Sequence, residues 1–156
     1  MSCDGLPERG VKLLFIRYNC NPLELEVGDC VIRAISTALN FNWFMVHDEL
    51  SHLSRKMADM PSSNRVWKEY LRSLGLVESV VDTECPNCIT VDKFAKRNNE
   101  GTYIVSTCEF TKTNDIVVTG THLVAVKDGD YYDTWDSGAD IPLSFFFVPE
   151  DKKLHI

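Results

Sequence analysis

The sequence has no long apolar run and no basic patch. None of its hydrophobic stretches approaches the ~20 residues that a membrane-spanning helix needs. Lys and Arg number 16 against 23 Asp and Glu, which gives a net charge of −7. Because nucleic-acid-binding proteins carry a basic surface, we expect neither nucleic acid nor a membrane among the partners of this protein.

An export signal is also missing, since no basic segment followed by an apolar one opens the chain. We therefore expect a cytoplasmic protein with reduced thiols rather than a disulfide framework. Cys85-Pro86-Asn87-Cys88 has the spacing of a zinc knuckle, but the sequence holds no second pair that would complete four ligands. We expect no metal and no cofactor. The six cysteines are Cys3, Cys20, Cys30, Cys85, Cys88 and Cys108.

The pattern along the chain predicts one α+β domain over residues 1–156, with residues 1–10 as a loosely held leader. Apolar residues at helical spacing predict helices, and they cover residues 30–39, 43–57, 65–74 and a short stretch after Thr90. β-branched and aromatic runs predict strands, namely residues 102–106, 121–127, 131–135 and 143–148, with shorter candidates at 12–18 and 76–81. The expected architecture is a set of N-terminal helices packed on a C-terminal antiparallel sheet.

The most informative stretch is Gly28-Asp29-Cys30, which stands directly before a predicted helix. Asp29 is a good N-cap residue, because its carboxylate can accept the free N–H groups of the first turn. Cys30 then lies at the positive end of the helix dipole, which favours the thiolate over the thiol. The thiolate is the nucleophilic form, so the stretch predicts a catalytic cysteine.

A histidine partner is found in the second half of the chain, on a predicted hairpin. Asp128-Gly129 between two apolar runs is typical of a two-residue type I′ turn. Such a turn pairs Lys127 with Asp130. It also makes Asp133 the diagonal neighbour of His122, roughly 7–8 Å away at Cα, which is within reach of a carboxylate.

A loop one residue longer would instead place His122 opposite Asp136, so two carboxylates are candidates for orienting the histidine. In either case the chain offers a cysteine at a helix start, a histidine at a strand start and a carboxylate on the paired strand. Cys30, His122 and the carboxylate are thus a candidate nucleophile, base and orienting acid.

Three blocks of the sequence resemble the signature of papain-like cysteine peptidases. Over about residues 18–148 the chain is similar to small papain-fold proteins of Gram-positive bacteria and their phages, where these blocks recur with a Met-Pro-Ser-Ser-Asn and a Cys-Pro-x-Cys segment. The resemblance implies a papain-like fold and a bacterial or phage-infected cell as the location. The blocks are Gly28-Asp29-Cys30, Gly120-Thr121-His122-Leu123-Val124-Ala125-Val126 and Tyr132-Asp133-Thr134-Trp135.

The resemblance also implies a role for each residue. Cys30 would be the nucleophile, His122 the general base and acid, and Asp133 rather than Asp136 the orienting residue. Trp135 would shield the contact between the histidine and the carboxylate from water. The implied activity is a cofactor-free cysteine hydrolase that cleaves an amide, peptide or isopeptide bond in a protein or peptide substrate.

The sequence departs from this family at Glu24, where the family has a glutamine whose amide helps to hold the oxyanion. An ionised glutamate cannot donate, so the Cys30 N–H is one expected donor and Asn21 is the candidate for the other. Losing such a donor costs about 10²–10³ in rate. Two alternatives therefore stay open: a weak or inactive papain-fold protein that binds a host factor, and an acyltransferase or deamidase that uses the same triad.

Overall fold

The computed structural model describes residues 14–84, 87–108 and 122–154. The predicted leader, residues 1–10, and Cys85 of the predicted knuckle lie outside this part of the chain. The described residues form four helices, which are α1 Cys30–Leu39, α2 Trp43–Met57, α3 Asn64–Ser73 and α4 Val91–Arg97. They also form six strands, which are β1 Phe15–Arg17, β2 Glu78–Val80, β3 Thr102–Cys108, β4 His122–Lys127, β5 Asp130–Asp133 and β6 Ile141–Val148. A short 3₁₀ turn follows at Glu150–Lys152.

The strands build one sheet in the order β1-β5-β4-β3-β6-β2. Its pairs are antiparallel except for β1, which runs parallel to β5. The sheet is therefore mixed, whereas the sequence predicted an antiparallel one. The parallel pair is possible because the whole helical region lies between β1 and β5 in the chain, and parallel strands need a long connection. The α+β class is as predicted, and none of the helices in the described part is long and apolar enough to cross a membrane.

Both faces of the sheet are covered, and β4 shows how its sequence divides between them. Leu123 and Ala125 point into a core shared with α1, α2 and α3, while Val124 and Val126 point into a second core shared with α4. This alternation is the two-residue period of a strand. On the first of these faces α1 packs directly against β4. This packing brings the start of the helix close to the start of the strand.

The hairpin between β4 and β5 has the predicted register. Lys127 pairs with Asp130, and the pairs Val126–Tyr131 and Ala125–Tyr132 follow. Asp128 and Gly129 have φ angles of 49° and 88°, as a type I′ turn requires. The short turn therefore fixes which residue of β5 comes closest to the first residue of β4.

The ends of the first two helices follow the predictions except at Asp29. Asn40 adopts a left-handed conformation after α1, and Asn42 caps α2 by accepting the Phe44 N–H at 2.9 Å. Asp29 is the N-cap residue of α1 as predicted, but its carboxylate does not accept the backbone N–H groups of the first turn, so that part of the prediction is wrong. A charged donor replaces these N–H groups, because Arg33 on the next turn donates its Nε to the Asp29 carboxylate at 2.7 Å.

Candidate active site

Cys30 is the first residue of α1 and lines a cleft of about 370 Å³. The helix starts here because the Asp29 carbonyl accepts the N–H of Arg33 at 2.9 Å. The first N–H groups of a helix have no acceptor within it, and the backbone N–H of Cys30 is one of them. The thiol is half-buried beside β4, where the side chain of His122 and the backbone N–H of Leu123 lower its pKa.

His122 is the first residue of β4, and its imidazole stands between the thiol and a carboxylate. Its Nε2 lies 2.5 Å from Oδ2 of Asp133, which leaves Nδ1 for Cys30. The imidazole side chain is only 16% exposed. The structure thus brings together the three side chains that the sequence predicted as nucleophile, base and orienting residue.

Asp133 is the last residue of β5 and is almost completely buried, with 1% of its surface exposed. Besides His122, it accepts hydrogen bonds from the Ser137 hydroxyl at 2.7 Å and the Thr134 N–H at 2.8 Å. Arg33 donates Nη1 to its other oxygen at 3.2 Å. With both oxygens held from several directions, the carboxylate has a fixed orientation toward the imidazole.

The alternative carboxylate, Asp136, has other partners than the imidazole. It accepts the Tyr131 hydroxyl at 2.5 Å and the Gly138 N–H at 3.0 Å, so it holds the turn that follows β5. The two-residue hairpin loop explains the difference, because it places Asp133 and not Asp136 at the end of the strand beside His122.

The pKa values of the three groups shift in directions that favour a thiolate–imidazolium pair. Burial opposes ionisation of Cys30, but hydrogen bonds from His122 and the Leu123 N–H outweigh it and lower the thiol pKa. Burial alone would lower the pKa of His122, yet its hydrogen bonds to Asp133 and Cys30 raise it to about 9. Burial would raise the pKa of Asp133, but the hydrogen bond from His122 and those from its neighbours lower it. Each group therefore stabilises the charge on the next.

Trp135 lies where the sequence predicted it, over the imidazole. Its ring centroid is 5.1 Å from that of His122, with the two rings tilted by 39°. The indole remains 39% exposed and forms part of the cleft wall. It therefore packs against the histidine and contributes to the cleft at the same time.

Asn21, the candidate for the second oxyanion donor, is not among the residues that line the cleft. It is buried, and its amide N–H donates to Asp29 at 3.2 Å. Its side-chain oxygen accepts the N–H groups of Leu23 and Leu25 at 3.0 and 3.3 Å. Asn21 is therefore occupied in holding the loop that leads to α1.

We expect the Asn21→Ala variant to lose about 1–3 kcal/mol of stability, because two backbone N–H groups and the Asp29 carboxylate lose a partner. Urea unfolding monitored by circular dichroism measures this. A variant with wild-type stability would contradict the structural role that these hydrogen bonds assign to Asn21.

Glu24 also lies outside the cleft, in an exposed left-handed conformation with a φ of 54°. The rim of the cleft is formed instead by the next residues along the chain, Glu26, Val27 and Gly28. Glu24, which stands where papain-like peptidases have a glutamine, is thus not among the residues that line the cleft. The backbone N–H of Cys30, which has no acceptor within the helix, is still the candidate donor for an oxyanion.

Arg33 is the site residue that the sequence reasoning missed. It is 8% exposed, lines the cleft and joins the carboxylates of Asp29 and Asp133. A charged side chain is rarely buried unless it is paired. The spacing of Asp29 and Arg33, four residues apart at a helix start, was the available signal in the sequence.

Metal ligands do not converge in the described residues. Over residues 14–84, 87–108 and 122–154, no three His, Cys, Asp or Glu side chains are grouped so as to hold a metal ion. Cys88 of the predicted knuckle is half-buried after β2, and its partner in that motif lies outside the described residues.

The cysteine, histidine and carboxylate in line can generate a nucleophile and transfer a proton to a leaving group. Comparisons with family models, with curated proteins and with solved structures gave no match. Function must therefore be inferred from the geometry of the site and from the motif blocks that resemble papain-like peptidases.

Proposed function

We propose that this protein is a papain-like cysteine hydrolase that cleaves an amide, peptide or isopeptide bond. One observation carries the proposal: the imidazole of His122 lies between the Cys30 thiol, whose pKa it lowers, and the buried carboxylate of Asp133, whose Oδ2 is 2.5 Å from the imidazole Nε2. The papain-like fold is part of the same proposal. It is supported by the nucleophile at the start of a helix that packs on the strand carrying the histidine.

In the proposed reaction, the Cys30 thiolate attacks the carbonyl carbon of the substrate, and the C=O electrons move onto oxygen. The Cys30 N–H stabilises that oxyanion. As the tetrahedral intermediate collapses, the C–N bond breaks and the His122 imidazolium gives its proton to the departing nitrogen. The products of this half-reaction are a free amine and a thioester on Cys30.

Water then completes the proposed cycle. His122, now neutral, takes a proton from a water molecule while the oxygen of that water attacks the thioester carbon. The C–S bond breaks, the acid is released and the thiolate–imidazolium pair returns. If an amine or alcohol enters in place of water, the same residues perform acyl transfer, and a side-chain amide as substrate gives deamidation.

A second candidate is a papain-fold binding protein with weak or no activity. The observation in its favour is that no Asn or Gln side chain is among the described residues that line the cleft. Turnover distinguishes the two functions: release of amines from a mixed peptide library, abolished in Cys30→Ala, supports the hydrolase.

The first test of the site is iodoacetamide labelling across about pH 5–9, with each modified cysteine assigned by mass spectrometry. We expect Cys30 to label fastest, with an apparent pKa well below the ~8.5 of a free thiol. Cys108 is the internal control, since burial raises its thiol pKa. In His122→Ala, labelling of Cys30 at about pH 6 should fall at least tenfold, because the thiolate loses its hydrogen-bonded cation.

If Cys30 labels no faster than Cys108, or at the same rate in wild type and His122→Ala, the proposed function is wrong. Circular dichroism of the variant verifies that it is folded. That result would favour the second candidate function, a papain-fold binding protein, and a search for its binding partner would follow.

A further inference from the structure

Arg33 lies one turn after Cys30 on α1, and its guanidinium is enclosed by acidic groups. Its Nε donates to Oδ1 of Asp29 at 2.7 Å, and its Nη1 donates to Oδ1 of Asp133 at 3.2 Å. The two carboxylates are 5% and 1% exposed. One buried cation therefore joins a carboxylate that precedes the helix to the carboxylate that orients the histidine.

We propose that Arg33 is a positioning residue that balances the charge of the two buried carboxylates and so allows Cys30 to ionise. This inference rests on the proposed function of the Cys30 site. The two carboxylates and the guanidinium together carry one net negative charge. Without Arg33 the same cluster would carry two, and additional negative charge beside a thiol opposes formation of the thiolate.

The other titratable groups near the thiol do not supply this balance. His122 faces it from β4 and already forms the imidazolium of the pair, while Glu26 on the cleft rim adds negative charge. Cys20, whose thiol lies 3.7 Å from the Arg33 carbonyl, is kept neutral because burial raises its pKa. Arg33 and His122 are the cationic side chains among the described residues that line the cleft.

Arg33 also holds Asp133 in place, since it binds the oxygen that does not face His122. If Arg33 acts through its charge, neutralising one of the two carboxylates should compensate for its loss. If Arg33 only holds Asp133 in place, this change should not compensate. Asp29 allows this test, because its hydrogen bonds go to Arg33, Asn21 and Trp43 and none goes to the imidazole.

We expect iodoacetamide labelling of Cys30 at about pH 7 to be about tenfold slower in Arg33→Met than in wild type, with a higher apparent pKa. Arg33→Lys keeps the charge and should label within about threefold of wild type. The double variant Arg33→Met/Asp29→Asn has the net charge of the wild-type cluster without the contact to Asp133. It should recover most of the lost rate.

Asp29→Asn alone removes one negative charge and should shift the pH profile of Cys30 to lower pH. This variant keeps the test decisive if Arg33→Met does not fold, which circular dichroism will show. An unchanged profile in Arg33→Met or in Asp29→Asn overturns the inference, and so does a double variant as slow as Arg33→Met. An ordinary thiol pKa in wild-type Cys30 would instead contradict the proposed function, so the two failures are distinguishable.

Discussion

The Asp133→Ala variant is expected to be about 3–5 kcal/mol less stable than the wild-type protein at about pH 5.5. Asp133 is 1% exposed and accepts hydrogen bonds from the cationic side chains of His122 and Arg33, from the Ser137 hydroxyl and from the Thr134 N–H. Removing the carboxylate leaves two buried cations without this partner. The cost of an uncompensated buried charge is the reason for the large effect.

The difference in stability between the wild-type protein and Asp133→Ala should depend on pH in a defined way. The pKa of His122 is raised from 6.5 to about 9, so its stabilisation is complete below about 6.5 and is lost as the pH rises through about 9. The pKa of Asp133 is lowered from 3.8, so its stabilisation is present above that value and is lost as the pH falls through the lowered pKa. The difference is therefore largest between about pH 4 and 6.5.

Urea unfolding of both proteins at about pH 5.5 and about pH 9.5 measures these effects. Asp136→Ala is the matched control, because Asp136 is an exposed carboxylate three residues along that binds no cation among the residues that the structure describes. Asp136→Ala should lower the free energy of unfolding by much less than Asp133→Ala, and by the same amount at both pH values. Equal losses for the two variants, or a difference that grows at about pH 9.5, would contradict the ion pair that joins Asp133 to His122.

Local signals in the sequence predicted the helix that begins at Cys30 and the hairpin that carries His122. They left Asp133 and Asp136 as alternatives, and only the resemblance to papain-like peptidases favoured Asp133. Asp128-Gly129 specifies a tight turn, and the turn specifies the register that brings Asp133 to His122. The helix that begins at Cys30 follows from its apolar spacing. These features are predictable because each depends on residues that are close in sequence.

The features that the sequence did not predict depend on distant contacts. Arg33 and Asp133 are 100 residues apart in the chain, and helical spacing says nothing about which charged side chain will meet a buried carboxylate. The parallel pairing of β1 likewise depends on a strand at the other end of the chain. Asp29 holds the predicted N-cap position, but its carboxylate binds a stronger, charged donor in Arg33 instead of the backbone of the first turn.

Trp67→Ala should lower the stability of the protein by about 3–5 kcal/mol for a different reason, the loss of buried volume. Trp67 on α3 is 1% exposed, and its ring packs edge-on against Phe146 of β6 with centroids 6.0 Å apart. Its indole N–H donates to Asn64 at 3.0 Å. Urea unfolding measures the loss. Phe147→Ala is the control, because Phe147 is 47% exposed and should cost less than about 1 kcal/mol.

Comparing Trp67→Ala with Asp133→Ala separates stability of the fold from chemistry of the site. Trp67 is not among the groups that set the pKa of Cys30, so the folded fraction of Trp67→Ala should keep the wild-type pH profile of iodoacetamide labelling. Asp133→Ala should shift that profile to higher pH, because His122 loses the carboxylate that stabilises its positive charge. A shifted profile in Trp67→Ala would mean that packing between α3 and β6, and not the buried charges, sets the reactivity of the thiol.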